Sequence, residues 1–289
     1  MGIFFALSAL LAWGFGDFLI QRSTRKIGNI VALFYITAFA SVVLLPFVYK
    51  DIFGYIQTSD FQILGLLLFA TLLTLTASVL DFEALRVGKI SVVEPIYAFE
   101  VFVTIVLGSV FLHEYPTPIQ FFLILLLSIG VIFVGTKSIT HLSSISWEKG
   151  VLLAVLATLT MGGVNFMFGV MARATNPLVI NWFTSLFITV FCLLFLAKAK
   201  RLGEILTSVK NNFLLILSVS VLDNIAWISF AYSTLYIQIA ITTSISESYI
   251  AIAALLGLVI NKEKLQRHQY IGLVLVLIAG ISLSMTINK

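Results

Sequence analysis

The sequence contains very few charged residues for its length. Only 10% of its 289 residues are Asp, Glu, Lys or Arg, whereas soluble domains typically carry about 25%. Hydrophobic residues make up 60% of the chain, and the mean hydropathy is +1.11. This composition excludes an ordinary soluble domain and predicts a polytopic membrane protein.

Several signals for other protein classes are also missing. The single cysteine, Cys192, excludes an internal disulfide, and the three histidines are far apart without metal-ligand spacing. The sequence has no G-x-x-x-x-G-K-[ST] motif, and its polar connections are too short for a nucleotide-binding domain. The basic residues form no cluster that could follow a phosphate backbone. We therefore expect no cofactor, no metal, no nucleic-acid partner and no ATP-driven transport by this chain alone.

Apolar segments of membrane-spanning length alternate with short polar connections. The first segment has neither a basic n-region nor a small-residue cleavage site, so we interpret it as a retained helix. The sequence predicts an all-α, multi-pass protein of the plasma or inner membrane, either a monomer or a weak homodimer. Ten spanning helices are predicted at Ile3–Gln21, Ile30–Tyr49, Phe61–Leu85, Ile90–Leu112, Pro118–Thr136, Gly150–Ala172, Leu178–Lys198, Asn212–Leu235, Ile239–Ile260 and Gln269–Thr286.

An internal repeat relates the two halves of the chain. A shift of 148 residues places LLAWGFGDFLIQRSTR on TLTMGGVNFMFGVMAR, and a shift of 149 places VLGSVFLHEYPTPIQ on LLGLVINKEKLQRHQ. The alignment pairs Gly14 with Gly162, Asp17 with Asn165, Arg25 with Arg173, and Glu114 with Glu263. This pattern predicts two five-helix repeats, residues 1–140 and 141–289. Because five is odd, the second repeat is expected to be inverted in the membrane, as in secondary transporters with a site near the midplane.

A set of short motifs occurs in a fixed order along the chain. These are AWG at Ala12–Gly14, EAL at Glu83–Leu85, Pro95, Gly108 with Glu114, and the glycines Gly130 and Gly280. Over nearly its whole length the sequence resembles the EamA-like branch of the drug/metabolite transporter superfamily. The resemblance implies a transporter fold whose relatives handle amino acids, nucleotide sugars or lipophilic cations. Two positions depart from the pattern, with Ser244 in place of a proline and Leu123 in place of a glycine.

Carboxylates inside the predicted helices outnumber the cations that could neutralise them. Burying an ionised carboxylate in hydrocarbon costs about 3 kcal/mol on insertion scales, so such residues usually face a bundle interior. Asp17 and Asn165 occupy equivalent positions, and we expect both to line a central cavity; a packing role for Asp17 is the alternative. The predicted substrate-binding residues are Trp13, Asp17, Glu94, Tyr97, Asn165, Asp223, Trp227 and Glu247.

Local spacing supports three of these candidates, Glu94, Asp223 and Trp227. Glu94 precedes the kink expected at Pro95, and helical spacing predicts that Glu94 faces the cavity while Glu100 points elsewhere. Asp223 and Trp227 are four residues apart, an arrangement that suits an amine through charge and cation–π attraction. A packing or interfacial role for Trp227 is an equal alternative.

Other carboxylates fit structural roles. Glu83 and Arg86 are three residues apart and are expected to pair on one helical face. Glu114 and Glu263 lie at equivalent helix ends, where capping or loop anchoring is expected.

The function predicted from these features is secondary transport of a small cation or zwitterion by alternating access. Proton coupling or substrate exchange would supply the driving force, with Asp17 and Glu247 as the candidate proton carriers. Multidrug efflux is the main alternative. A membrane-embedded enzyme is less favoured because the spans carry no metal-spaced motif, and the inverted repeat and the scattered intramembrane carboxylates favour a carrier over either an enzyme or a passive channel.

The orientation in the membrane stays open. Loops that follow odd-numbered helices hold 14 of the 17 Lys and Arg residues, so the positive-inside rule places these loops in the cytoplasm and both termini outside. The family resemblance implies the reverse, with cytoplasmic termini.

Overall fold

The computed structural model describes residues 1–57, 61–87, 96–135, 149–249, 252 and 266–286. Within these ranges the chain forms ten α-helices and no β-strand, which confirms the expected all-helical class. In chain order the helices are α1 Gly2–Ile27, α2 Asn29–Gln57, α3 Phe61–Val87, α4 Glu100–Leu112, α5 Pro118–Gly135, α6 Lys149–Ala174, α7 Pro177–Lys198, α8 Gly203–Thr234, α9 Ile239–Ser246 and α10 Arg267–Met285.

Six of these helices (α1, α2, α3, α6, α7 and α8) are long and apolar enough to cross a bilayer, which takes about 20 residues. Helices α4, α5 and α10 are apolar but shorter in the described part of the chain. Parts of the predicted segments Ile90–Leu112 and Ile239–Ile260 lie outside the described residues.

Three helix boundaries differ by six residues or more from the prediction, because hydropathy marks the apolar span rather than the helix end. Helix α2 continues beyond Tyr49 through Gln57. Helix α1 continues beyond Gln21 through Ile27, carrying Arg25 and Lys26 in its last turn. Helix α8 begins at Gly203 rather than Asn212, and non-helical backbone angles at Asn212 (φ −136°, ψ 29°) produce a kink there. The predicted start of the span therefore coincides with the kink.

Every main helix pair joins one helix of the first half to one of the second. Helix α1 packs along α8, α3 along α6, α2 along α7, and α5 along α10. Close contact between α5 and α10 depends on Gly130, where an added Cβ would lie 3.0 Å from the Gly272 carbonyl oxygen and 2.9 Å from Val276 Cγ2. The fold thus interleaves its two halves instead of stacking them as separate bundles.

Two short helix interruptions occur at positions related by the 149-residue shift. Ala98 and Phe99 form a turn before α4, and Glu247 and Ser248 form a turn after α9. In both turns a backbone N–H bonds three residues back, from Phe99 to the Ile96 carbonyl (3.1 Å) and from Ser248 to Ile245 (3.2 Å). We call these turns the first and second helix breaks.

The two ends of the bundle contain different parts of the chain. At the terminal end, Ser233 Oγ donates to the Gly2 carbonyl (3.0 Å) and Gln120 Nε2 donates to Thr286 Oγ1 (3.3 Å), so the first and the last described residues lie at the same end of the bundle. At the opposite end, the loop end, the turn at Gly28 lies beside Arg201. Gly28 has φ 84°, a left-handed conformation that favours glycine.

Candidate functional site

A cavity of about 100 Å³ lies at the centre of the bundle. Its walls come from α1, α2, α3, α6, α7 and α8 and from residues at or next to the two helix breaks, namely Tyr97 and Glu100 (the first residue of α4) at the first and Glu247 and Tyr249 at the second. Five carboxylates line it, and no Lys, Arg or His occurs among the lining residues of the described chain. These carboxylates are Asp17, Asp81, Glu100, Asp223 and Glu247.

Two of the carboxylates have hydrogen-bond donors at repeat-equivalent positions. Asn165 Nδ2 of α6 donates to Glu100 Oε2 at 3.3 Å, and the Tyr249 side chain hydrogen-bonds to Asp17 of α1. A shift of 148 residues relates Asp17 to Asn165, and a shift of 149 relates Glu100 to Tyr249. The same contact therefore occurs twice, with the carboxylate on α1 in one copy and at the helix break in the other.

Two further carboxylates have aromatic donors. The Tyr97 hydroxyl donates to the Asp81 backbone carbonyl (3.5 Å) and also lies beside the Asp81 carboxylate, and the Trp13 side chain hydrogen-bonds to Asp223. These neutral donors satisfy part of the hydrogen-bonding capacity of each carboxylate without neutralising its charge.

Glu247 differs from the other four. It lies at the second helix break, its residue is only 7% exposed, and it lines the cavity. Among the described residues no side chain donates a hydrogen bond to its carboxyl group, while Asp17 and Asp81 lie within electrostatic range of it. A buried polar group without a partner is costly, so Glu247 has unused capacity for a proton or a ligand.

The lining of the cavity itself follows the internal repeat. Lining positions on α1 and α2 recur on α6 and α7 after a shift of 148 residues. The pairs are Trp13 with Met161, Asp17 with Asn165, Ile20 with Phe168, Leu33 with Asn181, Ile36 with Thr184, and Thr37 with Ser185. The positions are repeated but the chemistry is only partly so, since Leu33 and Ile36 of α2 are apolar where their α7 counterparts are Asn181 and Thr184, while Thr37 and Ser185 are both polar.

An aromatic cluster borders the acidic groups. The Trp13 and Trp227 rings meet edge to face with centroids 5.1 Å apart, and Phe168 lies 4.7 Å from Trp227. Phe230 and Tyr249 complete the cluster around Trp13. Trp227 therefore lies at the cavity wall, packed within this aromatic cluster.

The predicted site residues are largely brought together. All of them line the cavity except Glu94, which lies outside the described residues: Trp13, Asp17, Tyr97, Asn165, Asp223, Trp227 and Glu247.

The prediction that Glu100 points away from the cavity is wrong. The turn at Ala98–Phe99 interrupts the helix, so a constant rotation per residue cannot be carried across it from Glu94, and Glu100 enters the cavity lining. Asp81 was not singled out from the sequence, although the tetrapeptide SVLD that ends at Asp81 recurs ending at Asp223.

The structural roles predicted for two other carboxylates are confirmed. Glu83 forms a bidentate pair with Arg86 (2.7 Å for each contact) and also approaches Lys149 Nζ at 3.6 Å. Glu114 pairs with Arg173, and its Oε2 accepts the backbone N–H of Ile239 (3.2 Å) at the start of α9. Glu263 lies outside the described residues.

Comparison with known proteins is consistent with this geometry. The model of the EamA-like transporter family matches residues 1–136 and again residues 148–286. A solved structure described only as "Crystal structure of protein" shares the fold, with a TM-score of 0.74 and 11% identity over 100% of this chain and 99% of that chain. No curated protein matches the sequence. Since the family model covers both halves, the chain belongs to the EamA-like transporter family and is an integral, multi-pass membrane protein.

Proposed function

We propose that this protein is a secondary transporter that moves a small cation or zwitterion by alternating access. Membership of a transporter family sets the class, and one observation carries the rest: a central cavity lined by five carboxylates and by no basic side chain in the described chain. Such a cavity attracts positive charge and repels anions. It is also lined at repeat-equivalent positions, as expected for a site between two related halves.

The proposed architecture is a pair of inverted five-helix repeats, residues 1–140 and 141–289. Two separate family matches support it, as does the reciprocal packing of α1 on α8 and of α6 on α3. The equivalent helix breaks beside the cavity support it as well, because discontinuous helices are typical of transporter sites between inverted repeats. Rocking of one repeat against the other would expose the cavity to each side of the membrane in turn.

Size favours a metabolite over a drug. Pockets for drug-sized ligands occupy roughly 300–1,000 Å³, whereas this cavity encloses about 100 Å³. A small amine or amino acid is therefore a better candidate than a large lipophilic cation, which makes multidrug efflux the second choice.

We further propose that Asp17 and Glu247 carry protons during the cycle. Both line the cavity, and removing a carboxylate from water favours its protonated form unless a cation is present. A proton and a cationic substrate would then compete for the same groups, which couples their opposite movements. The proposed location is the plasma or inner membrane, and the proposed state is a monomer or weak homodimer.

Isotope counterflow in proteoliposomes tests the transporter proposal. Vesicles loaded with unlabelled amines or amino acids should accumulate labelled compound transiently, because a carrier exchanges substrate whereas a channel does not. Asp17→Asn and Glu247→Gln should remove any response to an imposed pH gradient. Glu204→Gln, at an exposed ion pair far from the cavity lining, is the matched control. Transport that ignores the gradient and is unchanged in both cavity variants would refute proton coupling.

A further inference from the structure

We infer that the substrate is an organic cation with at least two separated amino groups, in the class of the aliphatic diamines and polyamines. This inference rests on the proposed transport function and concerns the same cavity. It goes beyond a general preference for cations because it states that the ligand carries at least two positive charges and that these charges are separated.

The first argument is the number of acidic groups. A ligand with one ammonium group can pair closely with one or two of the five carboxylates, and the others must then take up protons or face one another as charged groups. Asp81 lies within electrostatic range of Asp17, Glu100, Asp223 and Glu247. Like charges at such a site repel strongly in a low-dielectric interior. A second positive charge on the ligand relieves repulsion that a monocation leaves in place.

The second argument is the spacing of the acidic groups. They come from five separate segments of the chain, namely α1, α3, α4, α8 and the second helix break. Within the described ranges, no three of these groups come close enough to hold a metal ion. Carboxylates that are dispersed around one cavity match the separated charges of an extended molecule better than the point charge of a metal ion.

The third argument is the carboxyl group of Glu247, which has no side-chain donor among the described residues. It is more than nine-tenths buried, it lines the cavity, and it receives no side-chain hydrogen bond from the described residues. An ammonium group supplies three donors and one positive charge, which is what this carboxylate lacks. Glu100, at the other helix break, is within electrostatic range of Glu247. A dication can therefore contact one carboxylate at each break.

The fourth argument is the wall between the acids. Trp13, Trp227 and Phe168 provide apolar surface and ring faces beside the carboxylates. Such a wall suits the methylene chain between two amines, and ring faces attract cations. An α-amino acid fits less well, because its carboxylate would enter a cavity whose lining contains five acids and, in the described chain, no basic side chain.

Three compounds of matched length test the inference in proteoliposomes. Labelled 1,4-diaminobutane is the probe, butylamine lacks the second charge, and 4-aminobutyrate replaces one amine with a carboxylate. We expect counterflow of the diamine, and competition by unlabelled diamine at concentrations about tenfold lower than by butylamine, as one extra charge-assisted contact would give. The weakest competitor should be 4-aminobutyrate.

Removal of one acid should change the ranking of these compounds. In Glu247→Gln the advantage of the diamine over butylamine should fall severalfold, while Glu204→Gln should keep it. Thermal unfolding of each purified variant establishes that it is folded, and Asp81→Asn is the second cavity variant should Glu247→Gln fail to fold.

The outcomes separate this inference from the transport proposal. If butylamine or 4-aminobutyrate shows counterflow and the diamine does not, or if all three compete equally, the diamine assignment is overturned while transport stands. If neither these compounds nor a wider amine and amino-acid panel shows counterflow, both proposals are overturned.

Discussion

Asn165 donates its side-chain amide to Glu100 across 3.3 Å, and this contact is the repeat-related counterpart of the one between Tyr249 and Asp17. Each copy joins a first-helix residue of one half to a helix-break residue of the other. Each also contains one carboxylate and one neutral donor, with the two roles exchanged. Both halves therefore use the same pair of positions. The carboxylate is on the first helix in one pair (Asp17) and next to the helix break in the other (Glu100).

Loss of the Asn165 amide should destabilise the protein. Glu100 is 5% exposed, and Asn165→Leu removes its donor while nearly conserving volume. Leaving a buried acceptor unsatisfied costs about 1–3 kcal/mol, so the unfolding temperature in detergent should fall. Combining Asn165→Leu with Glu100→Gln should cost less than the sum of the two single changes, because they remove the same contact. Strictly additive effects would show that the two side chains do not interact.

A close helix crossing positions this contact. An added Cβ at Gly162 would lie 2.5 Å from Val103 Cβ and 2.9 Å from the Glu100 carbonyl oxygen. Thr104 Oγ1 also donates to the Gly162 carbonyl at 3.2 Å. The crossing of α6 over α4 therefore depends on a missing side chain, one turn away from Asn165.

Gly162→Ala should consequently destabilise the protein by about 1–3 kcal/mol through overpacking. Gly65→Ala in α3 is the matched control, because no atom lies within 4 Å of its added Cβ. Because alanine is favoured over glycine in a helix interior, Gly65→Ala should leave the free energy of unfolding unchanged or raise it by up to about 1 kcal/mol. Thermal unfolding of both variants measures the difference, and equal effects at the two positions would contradict the packing argument.

Arg173 connects four elements at the terminal end. It pairs with Glu114 after α4, and it donates through Nε to the Thr234 carbonyl (2.7 Å) and through Nη2 to the Ile237 carbonyl (3.0 Å). Glu114 in turn accepts from the first N–H of α9. One guanidinium thus fixes the ends of α6 and α8 and the start of α9.

Arg173→Lys should lose the two carbonyl contacts, because an ammonium group lacks the fork geometry of a guanidinium. We expect the free energy of unfolding to fall by about 1.5–3 kcal/mol, which is typical of charge-assisted hydrogen bonds. Arg201→Lys alters an exposed pair with Glu204. It should change the free energy of unfolding by no more than about 0.5 kcal/mol. The unfolding temperatures of the two variants provide the comparison, and similar values would show that the Arg173 contacts are dispensable.

The sequence predicts much of this arrangement for a clear reason. A carboxylate such as Asp17 inside an apolar span is conspicuous, and the repeat then identifies Asn165 without any knowledge of packing. Helix interiors and the intramembrane acids are local properties of the chain, so they can be recognised from residue type and spacing alone.

The partners of these groups depend on tertiary structure. That Asn165 meets Glu100 and Trp13 meets Asp223 depends on how α6 crosses α4 and how α1 packs on α8. The failed prediction for Glu100 has the same origin, since helical spacing applies only to an uninterrupted helix and a turn precedes this residue.

The distribution of charge between the two ends predicts the orientation in the membrane. The described Lys and Arg residues of the loop end lie near the ends of α1 and α3, at the starts of α6 and α10 and around the α7–α8 connection: Arg22, Arg25, Lys26, Arg86, Lys149, Lys198, Lys200, Arg201, Lys210 and Arg267. The described Lys and Arg residues of the terminal end are Lys50 and Arg173. The positive-inside rule then places the loop end in the cytoplasm.

Cysteine labelling checks this orientation. In a Cys192→Ala background, which removes the single buried thiol, Tyr115→Cys reports the terminal end and Ala199→Cys reports the loop end. Both positions are exposed. A membrane-impermeant maleimide should label Tyr115→Cys in intact cells and Ala199→Cys only after permeabilisation. The reverse pattern would place both termini in the cytoplasm, as the family resemblance implies. The excess of cations at the loop end would then face outward, against the positive-inside rule.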